Sequence, residues 1–115
     1  MKTNFNQFNK TYPQIGDYVI CKEKNLDNIP KLKLFIENNI GQIVKISDSG
    51  TKRLFLYNIP SNLLKYFDYL DNDFDLNEEK NCRIMYLNEI VFFSHSKQKT
   101  LKELEIIITT KNFNL

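Results

Sequence analysis

The residues best suited to chemistry lie in one acidic stretch, DYLDNDFDLNEEKN, at positions 68–81. Asp71, Asp73, Asp75 and Glu79 have the spacing of the first, third, fifth and ninth positions of a calcium-binding EF-hand loop. However, Leu76 stands where the sharp turn of that loop needs glycine, and Cys82 stands where a bidentate glutamate belongs. The pattern therefore does not predict a metal site. It predicts either a solvated loop or an acidic patch that contacts a protein partner through Asp71, Asp73, Asp75, Glu78 and Glu79.

The single histidine, His95, is the next candidate for chemistry. Its flanking sequence, SHSK, predicts an exposed position after the last strand, and no Asp or Cys partner for acid–base or nucleophilic catalysis is recognisable. No GxSxG, HExxH, P-loop or dinucleotide-binding motif occurs. Cys21 and Cys82 form no CxxC and predict buried thiols instead of a disulfide or zinc site. We therefore expect no catalytic residue, no cofactor and no metal, and a small metal-dependent enzyme is the weakest alternative.

Charge is divided unevenly along the chain. Residues 1–58 carry nine Lys/Arg and five Asp/Glu, whereas residues 59–115 carry seven and nine. The first half therefore predicts a mildly basic face, which is either a solvated lysine surface or, with Tyr18 or Tyr57 exposed nearby, a weak RNA- or DNA-binding surface. Two arginines in the whole chain count against base-specific recognition. The basic set comprises Lys22, Lys24, Lys31, Lys33, Lys45, Lys52 and Arg53.

Alternating apolar residues predict the elements that position these groups. Five short strands are expected, at 16–23, 40–47, 53–59, 82–86 and 90–93. Gly41, inside the second of them, marks a bulge, a bend or a close approach of the backbone to another group. The run VFF exceeds strict alternation, so Phe92 or Phe93 faces outward unless a helix covers it. Left uncovered, that apolar strip becomes a protein-binding or dimerising surface.

Helical periodicity and capping residues predict helices near 30–38, 62–69 and 100–110. Thr100 followed by Glu103 has the spacing of a capping box, which places the start of the last helix there. The expected fold class is mainly β with helical insertions, an α+β domain. Residues 1–13 are expected to be an N-terminal tail, and residues 14–115 one domain.

The stretches GDYV and GQIVKI, followed by a turn into RLFLYN, resemble the first three strands of SH3-like barrels of the KOW type. Such barrels often read G-D-x-V and then G-x-V-x-x-I. The resemblance covers roughly residues 16–93 and implies a closed five-stranded small barrel. The basic, glycine-rich loop of RNA-binding KOW modules is absent here. The residues that match are Gly16, Asp17, Val19, Gly41, Ile43 and Ile46.

Composition and pattern together favour a non-enzymatic protein-binding module. Fifteen Asn, fourteen Lys and thirteen Ile match AT-rich codons, and the chain resembles short proteins of phages and low-GC bacteria. The expected function is stoichiometric binding to a host protein, for example to inhibit a host defence system. Because no apolar run approaches the ~20 residues of a membrane helix and the first residues lack a signal-peptide core, we expect cytoplasmic residence and no membrane. The expected assembly is a monomer or a homodimer.

Overall fold

The computed structural model describes residues 12–24, 26–66 and 81–113. Five strands form one antiparallel sheet: β1 (Tyr18–Cys21), β2 (Gly41–Ile46), β3 (Lys52–Leu56), β4 (Cys82–Tyr86) and β5 (Ile90–Ser94). Within the described ranges it is accompanied by two α-helices, α1 (Pro30–Glu37) and α2 (Lys97–Phe113), and by 3₁₀ helices at Ser61–Tyr66 and Leu87–Glu89. The predicted α+β class is confirmed, with helices in all three expected places. The middle one is a 3₁₀ helix where it is described, and the predicted positions 67–69 lie outside the described residues.

The strand order across the sheet is β4-β3-β2-β1-β5. This order is compatible with a small SH3-like fold, but the sheet does not close into the predicted barrel, because its edge strands β4 and β5 do not pair. The 3₁₀ helix Leu87–Glu89 joins them and is held at the end of β1. There Glu89 accepts backbone N–H bonds from Tyr86 at 2.9 Å and from Lys24 at 3.0 Å. The Glu89 carbonyl also accepts the N–H of Lys22 at 2.8 Å.

The main core lies between one face of the sheet and α1. Phe55 and Ile43 oppose each other on β3 and β2, and both are buried beside Leu32 and Ile36 of α1. The helix presents these two residues on one side because they are four positions apart. Pro30 suits the first helical position, where its missing N–H has no intrahelical partner to lose.

A β-bulge gives the opposite face of the sheet its own apolar cluster. The β2–β3 register shifts between Ile43 and Lys45, so that Val44 and Lys45 lie together opposite Leu54. Leu54 is fully buried and packs with Cys82, Ile84 and the half-buried Val44. The sheet is therefore apolar on both faces, which strict alternation did not predict.

An ion pair ties β4 to the segment after β1. Arg83 donates from Nη2 to Oε1 of Glu23 at 2.5 Å and from Nε to Oε2 at 2.6 Å. Its third donor, Nη1, reaches the carbonyl of Tyr66 at 2.6 Å. Both charged side chains are only 11% exposed. This bidentate geometry is the one in which a largely buried ion pair is best compensated.

The last helix begins three residues before its predicted start. Ser96 Oγ accepts the backbone N–H of Lys99 at 3.1 Å, which makes Ser96 the N-cap residue. Thr100, expected to cap the helix, is fully buried within it and donates its hydroxyl to the Ser96 carbonyl at 2.9 Å. The expected capping box Thr100–Glu103 is therefore wrong. Serine precedes threonine in the sequence SHSKQKT, and either could have capped by spacing alone.

Removing the Ser96 cap is expected to destabilise the domain. Ser96→Ala leaves an N–H of the first turn of α2 without its acceptor and should lower the free energy of unfolding by about 1 kcal/mol. Urea denaturation of the purified protein measures this. Ser96→Asp is the matched control, because aspartate also caps and should keep stability within about 0.5 kcal/mol of wild type. Equal losses in both variants would show that Ser96 does not act as the cap.

Within the described ranges, neither α-helix combines the length and the apolar character that a membrane crossing requires.

Candidate functional site

A groove of about 570 Å³ runs beside β5 at one edge of the sheet. We call it the β5 groove. Its apolar walls come from Val91, Phe92 and Phe93, and its polar end lies where β5 passes into α2. The side chains that line the groove include Tyr12, Asp17, Phe92, Phe93, His95 and Lys99.

The strand beside this groove has an unpaired side. β5 pairs with β1 along one side, and no other strand of the described parts of the chain pairs with it. Phe93, opposite Val19, packs against the main core, whereas Phe92, opposite Ile20, lies on the other face of the sheet. Both phenylalanines are half-buried, so the expectation that one of them faces outward unless a helix covers it stays a prediction. Val91 falls at a register shift and is 55% exposed.

The polar end of the groove is built on a turn that precedes β1. Asp17 Oδ2 accepts the backbone N–H of Gln14 at 2.8 Å, and the Asp17 backbone N–H returns to the Gln14 carbonyl at 3.0 Å. The turn is fixed to β2 by two backbone bonds with Ile43, at 2.8 Å from Gly16 and 2.9 Å to Asp17. One oxygen of the Asp17 carboxylate is therefore held by Gln14, and the backbone that carries this side chain is fixed to β2.

His95 forms an ion pair through Nδ1 with Oδ1 of Asp17. The carboxylate is 3% exposed, whereas the imidazole is 71% exposed. The contact of Nδ1 with a buried carboxylate orients the imidazole ring. The arrangement gives the groove an oriented imidazole whose position is set by the fold.

Sequence reasoning missed this pair, because Asp17 and His95 are far apart in the chain. The signal lies in the register: Tyr18 pairs with Ser94, so the residue before β1 meets the residue after β5. An SH3-like order, in which the first and last strands are neighbours, would have brought the two residues together. No local motif contains both residues.

An oriented imidazole can accept or donate a proton, or bind an anion when protonated. Activation of a serine would require a hydroxyl bonded to the ring. The two nearest serines are otherwise engaged: Ser94 Oγ accepts the N–H of Ser96 at 3.0 Å, and Ser96 Oγ caps α2.

The basic set is divided between two sides of the sheet. Lys31 and Lys33 lie on α1, which covers the main core, whereas Lys45 and Lys52 lie on the face of Leu54. Lys33 is paired with Asp27 at 3.0 Å, and this hydrogen bond raises the pKa of the lysine. Lys22 and Lys24 follow β1 and are exposed.

Two residues of the expected basic and aromatic surface lie inside the protein. Arg53 is 4% exposed and donates from Nε and Nη2 to the Pro13 carbonyl at 3.3 and 3.1 Å, and from Nη1 to the Gly50 carbonyl. Tyr57, expected beside the lysines, is buried. Neither side chain is available to contact a nucleic-acid backbone.

Both cysteines are buried free thiols, as predicted. Burial raises the pKa of the Cys21 thiol well above its ordinary value, partly offset by a hydrogen bond with Tyr57. Burial likewise raises the pKa of Tyr57. In the described residues, no three His, Cys, Asp or Glu side chains come together to hold a metal ion. The acidic patch of Asp71, Asp73, Asp75, Glu78 and Glu79 lies outside the described residues.

Comparison with known proteins adds no relative: no protein-family model, curated protein or solved structure matches the chain.

Proposed function

We propose that this protein is a non-enzymatic binding module that takes an extended segment of another protein along β5. The observation that carries the proposal is the coincidence of an unpaired strand edge with the β5 groove. An edge strand offers backbone N–H and C=O groups to an incoming strand, and side-chain pockets beside it select the sequence. Phe92 and Phe93, which line the groove, are two of the seven residues expected to contact a protein; the other five lie outside the described residues.

The side chains of the groove match the composition of a binding surface. Aromatic groups supply most of the binding energy in protein interfaces because they bury large areas at little conformational cost. Tyr12 is exposed at one end of the groove, and the half-buried Phe92 and Phe93 form its wall. Val91 adds an exposed apolar group at the strand edge itself.

The setting that we propose is an accessory protein of a phage or mobile element, cytoplasmic, with an SH3-like small fold and acting by stoichiometric binding to a host protein. The excess of Asn, Lys and Ile, residues that AT-rich codons encode, supports this setting. Such a protein would inhibit or redirect its target by occupying a surface. Capture of a defined host protein by the wild-type chain, lost with the Val91 variant below, would test it.

Selection from a display library of random peptides, each long enough to span β5, tests the binding function. We expect extended peptides with apolar residues at alternate positions to be enriched. Val91→Lys should weaken their binding about tenfold or more, because a charge at an exposed strand edge opposes pairing with a second strand. Titration by fluorescence anisotropy gives the dissociation constants. Backbone amides of β5 should show slowed hydrogen exchange in the complex.

Ile106→Lys is the matched control for this substitution. Ile106 is 52% exposed, close to the 55% of Val91, but it lies on α2 away from the residues that line the groove. Its replacement should change peptide affinity less than twofold, a difference of about 0.4 kcal/mol. The absence of enriched peptides, or an equal loss in both variants, contradicts the proposal. A dimer that Val91→Lys dissociates, without peptide enrichment, would assign the edge to a second copy of the chain.

The Asp17–His95 pair favours one second candidate, a hydrolase in which His95 acts as the general base. Such an enzyme would activate water without a nucleophilic serine. Turnover of nitrophenyl acetate or phosphate that His95→Ala abolishes would support it. A rate equal to the uncatalysed reaction for both proteins would remove it.

A further inference from the structure

We propose that the β5 groove recognises an extended segment that bears an acidic side chain, whose carboxylate His95 and Lys99 hold at the polar end of the groove. The inference rests on the proposed function and specifies the chemistry of the partner. It follows from the charges that line this end of the groove.

Two basic side chains face one buried acid at the polar end. His95 and the exposed Lys99 line the groove there, and Asp17 is the only carboxylate among its lining residues in the described parts of the chain. Asp17 is already engaged by His95 and by the N–H of Gln14. The Asp17 carboxylate is 3% exposed whereas Lys99 is exposed, so the charge presented to a ligand at this end of the groove is positive. A charge in such a place favours a ligand that supplies one negative charge.

The sequence at the start of α2 supports this reading of the charges. Helix N-termini favour acidic residues, yet the first turn of α2 contains none and carries Lys97 and Lys99 instead. Lys99 stands three residues after the N-cap Ser96, the position where glutamate completes a capping box. A lysine at this position stabilises the helix less than a glutamate would. Such departures from local rules are expected at functional positions.

Lys99→Glu separates binding from folding. The substitution creates the capping box Ser-x-x-Glu and suits the helix terminus, so we expect stability equal to or greater than that of the wild type. At the same time it reverses the charge that faces the ligand. Peptides selected from the random display library on the wild-type protein should therefore bind about tenfold more weakly or worse. His95→Gln should weaken them in the same direction.

Lys102→Glu is the control for a charge reversal on the same helix. Lys102 is exposed on α2 and does not line the β5 groove. It should change affinity less than about twofold at moderate salt. Replacing the acidic residue of a selected peptide with the corresponding amide should weaken its binding to the wild-type protein by the same factor as Lys99→Glu. The two changes combined should cost little more than either alone, because they remove one interaction.

The outcomes distinguish the inference from the function on which it rests. No enriched peptide at all overturns both. Enriched peptides that respond to Val91→Lys but share no carboxylate, or that ignore Lys99→Glu, overturn the carboxylate site and leave the strand-binding function standing. Equal losses of peptide affinity for Lys99→Glu and Lys102→Glu would show that general charge attraction explains the effect. That result would also contradict the proposed carboxylate site.

Discussion

Arg83→Ala is expected to lower the free energy of unfolding by about 3 to 5 kcal/mol, a large share of the stability of a domain this size. The substitution leaves the Glu23 carboxylate, 11% exposed, without the guanidinium that holds both of its oxygens. It also removes the donor to the Tyr66 carbonyl. Thermal and urea denaturation measure the loss, which corresponds to a fall in Tm of roughly 15 °C.

The size of this effect comes from the orphaned charge more than from the lost attraction. The double variant Glu23→Leu with Arg83→Met, which replaces the pair by apolar side chains, should therefore recover most of the loss. A double variant as unstable as Arg83→Ala would show that packing, and not the unpaired charge, determines the result.

The strands were predictable because their signal is local. Alternation along GDYVICKE and RLFLYNI identifies strands whatever the sheet around them does. Closure into a barrel depends on contacts between distant parts of the chain, and the prediction of a closed barrel was wrong. Closure requires β4 and β5 to meet, but the 3₁₀ helix between them is fixed at the end of β1 by the hydrogen bonds of Glu89. Nothing in the sequence of Leu87–Glu89 indicates where that helix is bound.

The same distinction applies to the candidate site. Phe92 and Phe93 were identified because too many apolar residues in one short strand is a local anomaly. The Asp17–His95 pair depends on the register between the first and last strands, and no local pattern contains it. Arg53 was assigned to the surface by its charge. Its burial depends on the Pro13 and Gly50 carbonyls, which accept its N–H groups.

Gly41 is a third example: the sequence indicated that this strand position needs a glycine but did not indicate why. A Cβ built on Gly41 would lie 2.8 Å from Cζ of Tyr57 and 3.1 Å from its Cε1 and Cε2 atoms. Gly41 is therefore required by the close approach of an aromatic ring, one of the three explanations that its place in a strand suggested. The ring is buried and packs edge-to-face on Phe35 with centroids 5.8 Å apart.

We expect Gly41→Ala to destabilise the protein by about 1 to 3 kcal/mol, because the added methyl group must displace a buried ring that has no room to move. In a Tyr57→Leu background the same substitution should cost less than about 0.5 kcal/mol, since the obstructing atoms are gone. Urea denaturation of the four proteins gives the coupling energy directly. Gly50→Ala serves as the control, because its cost of about 1 kcal/mol comes from a backbone φ of 80° and should be the same in both backgrounds. If Gly41→Ala costs the same in both backgrounds, the glycine is needed for the bend of β2 and not for the ring of Tyr57.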